Sequence, residues 1–213
     1  MATPRQGFVE HADFSRLLSH LLADLQAPLE AAYSTGWRLA SEILTRQWKH
    51  VDFKAGWLRL EPGETKNGDG RMFPLTPELR AVLERQRELT EALQRKQGRI
   101  IPWIFHRRGE PIRQIQKDWN KAMRAAGLNG QIPHDLRRTA VRNLERAGVP
   151  RSAAMKLVGH KTESIYRRYA ITDEAMLQEA GAKLSAFHGS LVKVGSKAEG
   201  AEGCRAILGS VRG

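Results

Sequence analysis

The chain has 213 residues, a formal net charge of +12, 41 % hydrophobic and 27 % charged residues, and one cysteine, Cys204. That length buries a full core and fits a single domain, and that composition excludes a mostly disordered chain. The longest apolar run, "IIPWIF", is far too short to cross a membrane; no secretory signal opens the chain, and a lone cysteine staples nothing within it, which points to the cytoplasm.

In chain order, "VEHADFSRLLSHLLADLQ" has apolar positions at helical spacing, with Asp13 as a cap. Pro28 then opens a short second helix through Tyr33, Gly36 stops it, and "RLASEILTRQW" reads as a third. The period changes at "KHVDF", "WLRLE" and "RMFPL", which alternate as a three-stranded antiparallel meander joined by "KAG" and the polar loop "PGETKNGDG". A long charged helix follows over 76–96, then a buried extended segment, "GRIIPWIF". Further helices are expected over 112–126, 134–147, 152–158, 162–169 and 173–187. The fold class is therefore α+β and mostly α-helical. Residues 1–187 form the domain, and the glycine-rich residues 188–213 are a loosely ordered or dispensable tail.

The charge is not spread evenly. Residues 131–170 hold nine Lys/Arg against three acids, half of the excess in under a fifth of the chain. Concentrated positive charge favours a polyanion, of which nucleic acid is the commonest. Within this stretch Pro133 starts a helix with His134 in its first turn and Arg137 on the same face. An imidazole and a guanidinium at a helix N-terminus can cradle a phosphate, although a surface arginine beside a capping histidine reads the same way. Arg38, pinned between Trp37 and Leu39, needs a partner, either Glu42 one turn on or a ligand phosphate. Lys66 sits at a hairpin tip, either idle in solvent or free to reach a ligand. His160 lies between Gly159 and the helix-capping Thr162, and Tyr166 and Tyr169 follow on one helical face. The seven histidines show no metal-ligand spacing, so no metal site or other cofactor is expected.

Taken in order, "TGWRLASEIL", "TKN", "HDLRRT", "LVGHKT" and "YRRYAI" resemble the catalytic domain of the tyrosine recombinases, the phage-integrase type of DNA strand transferase. The resemblance spans roughly residues 27–187 and implies a helical bundle carrying the small three-stranded sheet. It also implies metal-independent cleavage and religation of double-stranded DNA through a 3′-phosphotyrosyl intermediate. Arg38 and Arg137 would stabilise the transition state with His160 as a further donor; Lys66 would protonate the leaving 5′-oxygen, His134 would assist proton transfer, and Tyr169 would attack. Tyr169 is preferred to Tyr166 because it lies nine residues after His160, as in the family, and ends its own helix. Tyr166 then braces the core.

Three departures qualify the resemblance. The family places an acid three residues after the first arginine, whereas Glu42 is four after Arg38, which implies a local backbone irregularity. Full-length members carry an N-terminal DNA-clamping domain; this chain begins almost at the catalytic domain, so a fragment or reduced relative with weak, salt-sensitive, poorly specific binding is expected. The tail is unexplained, while 173–187 is a candidate for exchange between subunits of a tetramer on DNA. The rival readings are a catalytically silent DNA-binding module or integrase remnant, a type I topoisomerase of the tyrosine class, and a basic RNA-binding protein.

Overall fold

The computed structural model describes residues 7–64, 68–167, 169, 177–178 and 180–189. The chain divides into two compact units, residues 1–170 and 171–213. In the second, the described residues between 177 and 189 are helical, and Leu177, Leu184 and Phe187 are exposed along them. The start of the helix expected over 173–187 lies outside the described residues, as does the tail from residue 190.

The first unit is a helical bundle with a small sheet. Helices α1 (His11–Ser19) and α2 (Ala23–Thr35) lead to a π-helical turn at Leu39–Ile43 and a 3-10 turn at Trp48–His50. Strands β1 (Val51–Asp52), β2 (Trp57–Leu60) and β3 (Arg71–Pro74) form the expected antiparallel meander, with Leu58 opposite both Val51 and Phe73. Helix α3 (Pro77–Gln97) follows, capped by Thr76 Oγ1, which accepts from the Leu79 N–H. A short hairpin, β4 (His106–Arg107) and β5 (Glu110–Pro111), precedes α4 (Gln116–Ala125), α5 (Asp135–Arg146), α6 (Arg151–Val158) and α7 (Glu163–Arg167).

Helix α2 is the centre of the bundle and packs against α3 and α5. Its Leu25, Leu29, Ala31 and Ala32 are buried, each leucine contributing about 1.5–3 kcal/mol by leaving water. That burial explains why Pro28 lies inside α2 rather than opening a short helix, as its type suggested. The ring removes one backbone donor, and the apolar face on both sides of it outweighs the loss.

Two other boundaries differ from the sequence reading. The helix expected over 38–48 is reduced to the π turn, because the chain beyond it pairs sideways. The Trp48 N–H donates to the Pro102 carbonyl and the Ile104 N–H to the Arg46 carbonyl. The helix expected from residue 112 starts at Gln116, since 106–111 form the hairpin. Its turn residues, Arg108 and Gly109, have φ of 55° and 93°, and arginine is an unusual occupant of that conformation. The last helix of the unit, α7, begins after Thr162 as the cap expected there, with Thr162 Oγ1 accepting from the Ile165 N–H.

Candidate active site

Gly36 connects the central helix to the site. It caps α2 at φ 66°, and a Cβ there would press on Ala140 and Val158. Only glycine lets α2, α5 and α6 converge at this point. The Gly36 carbonyl accepts from Arg137 Nη1 at 2.7 Å, so the helix stop also orients an arginine.

Arg137 is 2 % exposed. Its Nε donates to His160 Nε2 at 3.2 Å, and its Nη2 has no hydrogen-bond partner among the described residues. Among the described residues it has no carboxylate in ion-pair contact. Burial first, and the Arg38 charge second, push its pKa down to about 10, which leaves it protonated at neutral pH. A buried guanidinium held only by neutral acceptors has an unmet need for an anion.

His160 sits on the turn after α6, whose cap Gly159 has φ 75°. Because Nε2 accepts from Arg137, the ring proton belongs on Nδ1, which is buried and without a partner among the described residues. Burial first, then Arg137, Arg38 and Arg71, push the His160 pKa down to about 3. The ring is a neutral donor across the physiological range.

Arg38 is the residue before the π turn, and its side chain is 35 % exposed. Its Nη1 donates to Glu42 Oε1 at 2.6 Å, and its backbone N–H to Glu42 Oε2 at 2.7 Å. Both expected partners are thus compatible, because the carboxylate takes one edge of the guanidinium and solvent the rest. The irregularity implied by the four-residue spacing is the π turn itself. The Ile43 N–H bonds back to the Arg38 carbonyl, and the extra residue is absorbed there.

His134 caps α5 and is exposed as a residue, yet one ring edge faces Tyr169, with His134 Nε2 3.1 Å from the Tyr169 hydroxyl. Partial desolvation, then Arg137, Arg138 and Arg38, lower its pKa. Trp37, Arg38, Pro133, His134 and Arg137 line one small cavity of about 270 Å³. Tyr169 is half-buried against the His160 ring, at 4.7 Å between centroids, with the Arg138 guanidinium 5.7 Å from its own ring centre.

Tyr166 is in a different environment. It is fully buried with Val141, Ala154 and Val158, and burial, reinforced by the Glu145 carboxylate, raises its pKa well above the phenol value. Its ring braces the His160 ring edge-on at 5.6 Å.

Lys66 lies outside the described residues, but its flanks are anchored. The Gly63 N–H donates to the Gly68 carbonyl at 2.9 Å, Glu64 pairs with the buried Arg46 at 2.7 Å, and Asp69 pairs with Lys161 at 2.7 Å. The structure therefore brings together Arg38, His134, Arg137, His160 and Tyr169. Two arginines escaped the sequence reading, Arg71 and Arg138. Arg71 shares a strand face with the buried Phe73, and period-two alternation is the signal that marks it. A larger cavity of about 780 Å³ is lined by residues of β3 and α6 and by His160, but neither Tyr169 nor Arg137 lines it.

The model of the Phage integrase family matches residues 8–176. The integrase of Salmonella phage P22 is 25 % identical over 210 residues, covering 92 % of this chain and 51 % of its own length. The chain thus spans about half of that curated relative. The fold is similar to XerA recombinase, at TM-score 0.67 and 16 % identity over 86 % of this chain and 65 % of that one. It is also similar to a lambda integrase dimer bound to a COC′ core site, at TM-score 0.65 and 19 % identity over 80 % of this chain and 49 % of that one. The lambda integrase catalytic core matches at TM-score 0.59 and 20 % identity, over 73 % of this chain and 92 % of that one. At these identities the structural likeness is one of fold, while the family match covers most of the chain: it belongs to the phage integrase family.

Proposed function

We propose that the chain cleaves and religates one strand of double-stranded DNA at a time, with Tyr169 as nucleophile, as the catalytic portion of a tyrosine recombinase. The observation that carries this reading is the Tyr169 hydroxyl, 3.1 Å from a neutral-leaning imidazole, beside a buried arginine with no acid partner among the described residues.

The Tyr169 oxygen attacks phosphorus and loses its proton toward His134. A phosphorus–oxygen tyrosyl bond forms as the bond to the 5′-oxygen breaks, and Lys66 supplies the proton that leaves a 5′-hydroxyl. Arg137 Nη2, the free edge of Arg38 and the His160 Nδ1–H take the charge gathering on the non-bridging oxygens. The phosphotyrosyl linkage keeps the energy of the broken bond, so a 5′-hydroxyl from another strand reverses the step without ATP. Tyr166 is unsuited to this role, because its hydroxyl is buried and hard to ionise.

Recombination needs several subunits on DNA, and solved relatives include a lambda integrase tetramer bound to a Holliday junction. The exposed Leu177, Leu184 and Phe187 give the C-terminal helix an apolar face suited to exchange with a neighbouring subunit in such a tetramer.

A pool of nicked duplexes with randomised arms supplies substrate without knowledge of the target. The wild type is expected to form an SDS-stable protein–DNA adduct with a fraction of the pool, and Tyr169→Phe none. An adduct that survives Tyr169→Phe would remove Tyr169 from the mechanism.

A further inference from the structure

Arg71 is a charged side chain that the chemistry above does not use, although it lies within the same cluster. It opens β3, its side chain is 9 % exposed, and its guanidinium stacks 5.3 Å from the centre of the Trp37 ring. Its Nη2 pairs with Glu42 Oε2. The space it occupies is kept open by Gly159, where a Cβ would collide with the Arg71 guanidinium. The glycine that precedes His160 therefore serves two purposes, the helix stop and the passage of this arginine.

Glu42 is 1 % exposed and gripped from both sides, Oε1 by Arg38 Nη1 and Oε2 by Arg71 Nη2 and the Arg38 N–H. Burial alone would push its carboxyl up. The Arg38 N–H and the Arg71 charge outweigh burial and hold it below the ordinary carboxylate range. The stoichiometry of charge matters here. A one-to-one pair of Arg38 with Glu42 would present little net charge to the cavity, whereas two guanidiniums on one carboxylate leave the group with net charge +1. The Arg71 guanidinium, stacked on an indole, adds an ion pair on the Oε2 side of a carboxylate whose two oxygens accept directional bonds from Arg38.

We propose that Arg71 is a positioning residue that shares the Glu42 carboxylate, so that Arg38 is held at the cavity with its positive charge uncancelled. The inference rests on the cleavage reading for its consequence, and on Arg38 geometry for its own test. It assigns to Arg71 no contact with DNA.

Two readouts separate these. The first is the side-chain nitrogen–proton NMR signal of Arg38 in the full chain, assigned by its loss in Arg38→Lys. Arg71→Met is expected to collapse that signal into the envelope of mobile arginines, and Arg71→Lys to leave it distinct. Arg71→Gln serves in place of the Met variant if circular dichroism shows that one unfolded. An Arg38 signal unchanged in the neutral variant overturns the proposal. The second readout is adduct formation on the nicked pool at saturating DNA. The neutral variant should be about 10- to 100-fold slower, the range for a partner that orients a catalytic group, with unchanged half-saturation, and Arg71→Lys should recover most of the rate. The double variant with Arg38→Ala should be no slower than Arg38→Ala alone; multiplied losses would show that Arg71 acts independently and overturn the proposal. A wild type that forms no adduct, with Arg38 responding as described, refutes the cleavage reading and leaves the role of Arg71 established.

Discussion

Helices α3 and α5 are both rich in arginine and use it in opposite ways. On α3, Arg80 pairs with Glu84, Arg87 with Glu91, and Arg85 with Glu30, all at the surface. Such pairs are worth about 0–1 kcal/mol each and hold no charge in reserve. On α5, Arg137 is buried, bonded to a carbonyl and an imidazole, with one amino group unpaired among the described residues. Even the basic stretch around it is mostly compensated. Arg142 and Arg146 pair with Glu10, Arg151 with Glu145 and Glu163, and Arg167 with Glu163. A count of charges therefore locates the neighbourhood, and the uncompensated buried charge locates the site.

Arg137→Met is the sharpest way to break this comparison. Adduct formation should fall by about 100- to 1,000-fold, the cost of one transition-state donor. Thermal stability should stay level or rise, since an unpaired buried charge is removed. Arg87→Met on α3 should change neither rate nor melting temperature appreciably. A large loss of stability in Arg137→Met with proportionate loss of rate would make it a structural arginine.

The two tyrosines come next. Tyr166→Ala should cost about 3–5 kcal/mol of stability, as for other buried aromatics, measured by urea unfolding. Tyr166→Phe should fold and keep adduct formation, because the ring that braces His160 is retained.

A smaller effect concerns pH. The folded His160 pKa, about 3, lies below its ordinary value of 6.5. The unfolded state therefore binds the extra proton first as pH falls. Its contribution is fully present above about pH 6.5 and is lost toward pH 3, at up to about 1.4 kcal/mol per pH unit. His160→Gln should unfold with a shallower acid slope. An unchanged slope would show that the ring is not held neutral by its surroundings.

The smallest effect is on binding. The exposed Lys117 and Lys121 on α4 have no acid partner among the described residues. If α4 meets the DNA backbone, each Lys→Ala change should reduce the slope of log affinity against log salt by about 1.

The meander and the long α3 were legible in the sequence because period and caps are local, whereas Arg38, His134, Arg137, His160 and Tyr169 stood out only through the resemblance of their motifs to the tyrosine recombinases. The failures were non-local. Pro28 sits inside α2 because of what the rest of the helix buries, and residues 46–48 leave the helix pattern to pair with 102–104. Arg71 was missed because its role depends on Trp37, Glu42 and Gly159, which are distant in the chain. Even the four-residue spacing of Glu42 was readable only as an irregularity, and the π turn is what gives it form.

The most direct test of the central claim is the identity of the residue joined to DNA. Adducts recovered from the nicked pool can be digested with nuclease and protease, and the modified peptide sequenced by mass spectrometry. Phosphonucleotide on Tyr169 is the predicted result. Attachment at Tyr166, at any other residue, or at none would contradict it.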